Sequence, residues 1–272
     1  MINGNNKPEV WIFGDSYSDP NYLQLEFKKI QNNFWTNKIE NLYNVKNESA
    51  YGTGALYQCN LLKKNIEKNY KNIKNTKLIF FYSNSTRFEN NFNIPVHYQE
   101  NVKHLITDPQ NFKKHIDRIP KEWYDHISYS KKLYKEYDYI NYAFKNFLLT
   151  DSLHGNIQHF VLSYICNIAK YFTNILLFKT DSVCNFTLFN EIYKFPNNVT
   201  FYDTFLFDLF NTKKEHEIVN KCRLNENNEF NVAKNKWPNH LNLKLHDIFL
   251  EDLCLYIETN KLNIRTDLYN YD

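Results

Sequence analysis

Glycine is scarce in this chain, with 5 residues in 272, while asparagine, lysine, tyrosine and phenylalanine abound. An AT-rich genome would produce that bias, so it is not read as adaptation. Cysteine is also sparse. The five thiols are Cys59, Cys166, Cys184, Cys222 and Cys254. Their number is odd and no CxxC spacing occurs, so nothing supports a cysteine-based metal or disulfide framework. Cys166 and Cys254 lie in apolar helical patterns and read as core thiols. No excess of one charge exists, since 33 basic residues face 30 acidic ones for a net +3. Bulk attraction to nucleic acid is thereby excluded. The lysines at 63, 64, 68, 71 and 74 are interleaved with asparagine and acid and read as a solvated helix face. No run of 18 apolar residues occurs, which excludes a spanning helix. The segment MINGNNKPEVW has no apolar signal region, so the chain as given is expected to be soluble and cytoplasmic. No repeat and no linker divides it, and one domain over residues 1–272 is the simplest organisation.

What is present is a globular composition, 43% hydrophobic and 17% aromatic, in a chain long enough to bury a large core. Val10 to Phe13 is a short apolar run that enters a turn at Gly14-Asp15-Ser16 and reads as a buried strand. A helix-compatible stretch from about Tyr22 to Asn41 follows, then a weak strand from Leu42 to Val45. Another helix is expected from about Leu56 to Tyr70. Lys77 to Tyr82 is continuously apolar, as a strand covered on both faces should be. Leu153, Ile157, Phe160, Val161, Ile165, Ile168, Ala169 and Phe172 follow helical spacing. Strands are expected at Asn174 to Phe178 and Val199 to Tyr202, and a last helix from about Leu241 to Glu258. This alternation argues for a parallel sheet of about five strands with helices on both faces, a three-layer α/β/α sandwich. Residues 88–150 fit no simple pattern and read as a mostly helical insertion. Sites in such sheets form at the carboxyl ends of the strands.

Ser16 lies on the turn after the first strand, where its Oγ can be exposed beside backbone N–H groups. An ordinary reading makes Ser16 a helix N-cap. Downstream lies Asn47-Glu48-Ser49-Ala50-Tyr51-Gly52-Thr53-Gly54, a loop whose glycines allow close backbone approach. After the strongest strand comes Tyr82-Ser83-Asn84-Ser85-Thr86-Arg87. Asn239-His240-Leu241-Asn242 precedes the last helix, with His246 six residues beyond His240. Singly, these are an unremarkable loop and a solvated histidine. Their conjunction, in this order, is what carries weight.

The set resembles the four blocks of the SGNH (GDSL-like) serine hydrolases. That resemblance implies the flavodoxin-like SGNH hydrolase fold. It implies Ser16 as nucleophile and His240 as general base, with the Ser16 N–H, a Gly52 N–H and the Asn84 amide as the oxyanion hole. Gly54 remains an alternative to Gly52. Asp15 and Arg87 are candidates for substrate contact. Arg87 admits a second reading, a surface ion pair with Glu89. The chain departs from the pattern at Tyr82, where the family has glycine, at Ser85, where it has aspartate, and at Leu245, again for glycine. Trp237 stands where the triad acid is expected. A backbone carbonyl, or an acid such as Glu229 or Asp203, would then have to orient His240.

The expected reaction is hydrolysis of an acyl ester, an O-acetyl carbohydrate or a lipid ester among the candidates, with neither metal nor organic cofactor. Acyl transfer to a carbohydrate hydroxyl is a variant. A catalytically weak or inactive binding or structural protein of the same fold is the alternative, supported by Trp237. A phosphate-binding flavodoxin-like module, with Gly14 to Asp19 as anion loop, leaves the His240 block unexplained.

Overall fold

The computed structural model describes residues 7–15, 17–20, 34–49, 53–69, 73–83, 87–89, 95–97, 151–180, 184–206 and 243–269. Strand β1 is Glu9–Phe13. Helix α1 (Trp35–Leu42) leads into β2 (Asn44–Asn47). Helix α2 (Ala55–Asn69) leads into β3 (Thr76–Tyr82). Two short strands follow, β4 (Arg87–Glu89) and β5 (Pro95–His97). Helix α3 (Asp151–Ile168) precedes β6 (Asn174–Lys179), and α4 (Phe186–Tyr193) precedes β7 (Val199–Phe205). Helix α5 (Leu243–Thr259) is the last long element.

The central sheet has five parallel strands in the order β2-β1-β3-β6-β7. Its two faces are sorted by strand alternation. Trp11, Phe13, Leu78, Phe80, Tyr82, Ile175 and Leu177 pack with α2, α3 and α4. Val10, Ile12, Ile79, Phe81, Leu176 and Phe178 pack with α1 and α5. The fold is therefore a three-layer α/β/α sandwich. All seven residues of β3 are buried, which is why its sequence is a continuous apolar run and not an alternating one.

Several elements differ from the sequence expectation. Leu42 is half exposed and closes α1, so the second strand starts at Asn44. In α3 the buried row runs through Ile157, Val161 and Ile165 with Leu162 beside it. Phe160 falls on the opposite flank of that row and is 52% exposed. Among the described residues the buried thiols are Cys59 and Cys184, whereas Cys166 and Cys254 are only partly buried against the core. Residues 87–89 and 95–97, at the start of the expected helical insertion, form an antiparallel pair. Residues 98–150 lie outside the described part.

Helix α4 has no sequence forecast behind it, and its start explains why it forms. The Asn185 side chain accepts from Leu188 N at 2.8 Å. The Asp203 carboxylate accepts from Phe186 N (3.1 Å) and Thr187 N (3.0 Å). Three orphan N–H groups of the first turn are thus satisfied, two of them by a residue from β7. Lys179 Nζ lies 3.1 Å from the same carboxylate. Burial alone would raise the Asp203 pKa, but the hydrogen bonds from Thr187, Lys179 and Phe186 outweigh it and hold the carboxyl below its usual range. A depressed folded pKa stabilises the fold above the unfolded value of about 3.9, and that contribution is lost as pH falls through the folded value. Thermal unfolding of Asp203→Asn should therefore depend less on pH below about 4 than wild type does. Identical slopes for the two proteins would refute this assignment.

Candidate active site

In the order β2-β1-β3-β6-β7 the connections after β1 and β3 leave in opposite directions. Such a switch point opens a crevice at the carboxyl ends of those two strands, where ligands bind in open α/β sheets. Here those ends carry Gly14 to Asp19 and Tyr82-Ser83. Ser16, Gly52, Asn84 and His240 themselves lie outside the described residues, as do Trp237 and Glu229. Asp15 and Tyr17 beside Ser16, Thr53 beside Gly52 and Ser83 beside Asn84 are described, and they converge; the described chain resumes after His240 at Leu243.

Asp15 organises the β1 turn. It is buried, at 2% exposure. Its carbonyl accepts from Ser18 N and Asp19 N, both at 3.0 Å, and its Oδ1 accepts from Tyr17 N at 3.1 Å. That is the hydrogen-bond pattern of an Asx turn. The other carboxylate oxygen accepts from Thr180 Oγ1, at 2.9 Å. Thr180 follows β6, and its N–H also bonds Tyr82 O at 2.8 Å. Asp15 therefore braces the ends of β1 and β6.

Gly14 owes its identity to space. A Cβ there would lie 2.6 Å from Cβ of Phe81 and still closer to Ser18 Oγ. The Phe81 atom is fixed to the backbone of β3 and cannot swing aside. Gly14→Ala should destabilise the fold by about 1–3 kcal/mol, the usual cost of overpacking. A urea midpoint equal to wild type would contradict this close approach.

The second loop is tied to the first. Asn47 Nδ2 donates to Ser18 O at 2.8 Å, and Asn47 Oδ1 accepts from Ser49 N at 3.0 Å. Thr53, buried at 1% exposure, donates through Oγ1 to Gly14 O at 3.3 Å. Its own carbonyl accepts from Ser83 Oγ at 2.8 Å. Gln58 Nε2 donates to Thr53 Oγ1 at 2.7 Å. Gly54, the alternative oxyanion glycine, is buried, and its carbonyl accepts from Gln58 N to open α2. Arg87 is placed in β4 opposite His97.

The last helix reaches the same neighbourhood through Trp35. His246, in the first turn of α5, is buried, and its Nδ1 accepts from Trp35 N at 3.4 Å. Its ring lies 4.7 Å from that of Phe34. The Trp35 indole donates to Tyr17 O at 3.2 Å. One residue therefore bridges the start of α5 and the β1 turn. Asp203, a stand-in for the triad acid on sequence grounds, spends its carboxylate on α4 and Lys179.

Thr53, Gln58, Ser83 and Thr180 were not singled out by sequence reasoning. Gln58 did leave a signal, a polar residue inside the apolar row Ala55, Cys59, Leu62 and Ile66. Thr180 and Ser83 left a positional one, since each directly follows a strand of the sheet. Among the described residues no cluster of histidine, cysteine or acid is placed to hold a metal ion, and no helix is long and apolar enough to cross a membrane. Comparison with protein-family models, curated proteins and solved structures finds no match to this chain.

Proposed function

We propose that this chain is a serine esterase with Ser16 as nucleophile and His240 as general base. One observation carries the reading. Gly14-Asp15, Thr53 and Ser83 are joined by the Thr53-to-Gly14 and Ser83-to-Thr53 hydrogen bonds, at 3.3 and 2.8 Å. These residues adjoin Ser16, Gly52 and Asn84 in the chain. Nucleophile and oxyanion donors thus belong to three loops that share one end of the sheet, at its switch point. The His240 block stands just before α5, whose first turn contacts Trp35, and Trp35 contacts Tyr17.

In the proposed reaction His240 takes the Ser16 hydroxyl proton as Oγ attacks the acyl carbon. The Ser16 N–H, Gly52 N–H and Asn84 amide hold the oxyanion. The leaving alcohol departs with the proton from His240. Water, deprotonated by the same histidine, then releases the acid and restores Ser16. The substrate class is a small acyl ester, an O-acetyl carbohydrate or a lipid ester. Attack by a sugar hydroxyl in place of water would make the same site an acyltransferase.

The sequence also favours a second reading. Trp237 at the acid position fits a binding or structural protein that keeps the fold without strong catalysis. A fluorophosphonate probe separates the two. An activated Ser16 is labelled, and the label is lost in Ser16→Ala. Wild-type protein that stays unlabelled would sink the esterase. Within the esterase reading, Asn84→Ala should lower kcat by about 10²–10³, the value of one oxyanion donor. Unchanged kcat would remove Asn84 from the oxyanion hole.

A further inference from the structure

We propose that Gln58 is a positioning residue for the turn that carries Ser16, acting through the hydroxyl of Thr53. Its catalytic consequence rests on the esterase reading, whereas its effect on the turn does not.

Gln58 is fully buried, at 0% exposure, in the first turn of α2. Its neighbours in the packed row are Ala55, Cys59 and Leu62. A methionine or leucine would suit that environment without a polar group to satisfy. The amide is moreover only half used. Nε2 donates to Thr53 Oγ1 at 2.7 Å, while Oε1 has no donor within hydrogen-bond reach among the described residues. A buried amide with an idle acceptor calls for an explanation, and local rules are broken most often where function requires it. The N–H contact supplies that explanation.

A threonine hydroxyl has one proton and turns freely about its C–O bond. Because Gln58 occupies a lone pair of Oγ1, the proton is left to face Gly14 O. That bond is long, at 3.3 Å, so it does not fix the rotor by itself. The amide in its other orientation would compete for the same proton. Thr53 meanwhile holds the β3 turn through its backbone carbonyl and Ser83 Oγ. It is therefore the joint between the turns after β1 and β3, and Gln58 sets the direction of its hydroxyl. Loss of that setting would let the β1 turn drift. Misplacement of a nucleophile by about 1 Å costs up to 10²-fold in rate.

The test uses Gln58→Met, Thr53→Val, the double variant and Thr53→Ser in the full chain. Three quantities are read: the urea midpoint, amide hydrogen exchange, and kcat and KM for p-nitrophenyl acetate. Gln58→Met should keep or raise the midpoint, because an unpaired acceptor is removed. It should speed exchange at Ser18 and Asp19, the amides bonded to Asp15 O. It should lower kcat about tenfold with KM unchanged. The double variant should be no slower than Thr53→Val, and Thr53→Ser should behave as wild type. Unchanged exchange at Ser18 and Asp19 in Gln58→Met overturns the proposal, whether or not the chain hydrolyses esters. So does unchanged kcat in an active enzyme, or faster exchange spread over the whole sheet. Wild-type protein without turnover would instead remove the esterase reading, and the exchange data would still decide the role of Gln58.

Discussion

Ser16→Ala is expected to abolish turnover of p-nitrophenyl acetate and butyrate, and the size of the loss is itself informative. Removing the nucleophile from a complete serine triad costs roughly 10⁶ in kcat. Removing only the acid costs roughly 10⁴, because the imidazole loses its orientation and the partner of its charged form. If nothing replaces the acid at Trp237, wild type already runs without that contribution. Ser16→Ala would then lose only about 10², the quotient of the two. A loss near 10⁶ would mean that another group orients His240. Asp203 is a poor candidate, since its carboxylate is bonded to Phe186 N, Thr187 N and Lys179. Equal rates for the two proteins would shift the balance to a binding role.

Phe81→Ala should give the largest loss of stability, about 3–5 kcal/mol. The ring is fully buried in β3. It stacks on Phe178 at 5.1 Å and 21°, and packs against Trp35 at 5.8 Å and Phe249 at 6.4 Å. These partners come from three other elements, β6, α1 and α5. None can collapse into the space without pulling its element off the sheet, so the cavity term adds to the lost transfer energy. A domain is stable by only about 5–15 kcal/mol, so the variant would approach the edge of folding. The urea midpoint reads this directly. A loss below about 1 kcal/mol would mean that the aromatic layer can repack, as volume-tolerant cores do. Phe81 also backs the β1 turn, because its Cβ occupies the space next to Gly14. Alanine keeps that atom, so the turn should survive the loss of the ring.

Sequence patterning located most strands within one or two residues, for a physical reason. A strand buried on both faces must be apolar throughout, and Thr76–Tyr82 is. It failed at Leu42 and Phe160, where an apolar residue sits off the buried face. Such exposure costs little, so nothing in the sequence forbids it. It failed at α4 because the helix start is satisfied in part by Asp203, 17 residues beyond Phe186. Local periodicity cannot register a cap that arrives from another strand.

The same division runs through the site. The sequence by itself determined the class of architecture, and it singled out the turn after β1, Ser16 and His240 as the parts on which the proposed function rests. Those follow from residue type and from the rule that parallel sheets present their loops at one edge. Only the tertiary structure decided that Asp15 braces the β1 and β6 ends, that Gly14 yields its side chain to Phe81, and that Gln58 and Thr53 couple two loops. Each of these depends on groups far apart in the chain meeting within hydrogen-bond or van der Waals distance. Such distances are set by how the layers pack, and no local pattern of residues encodes them.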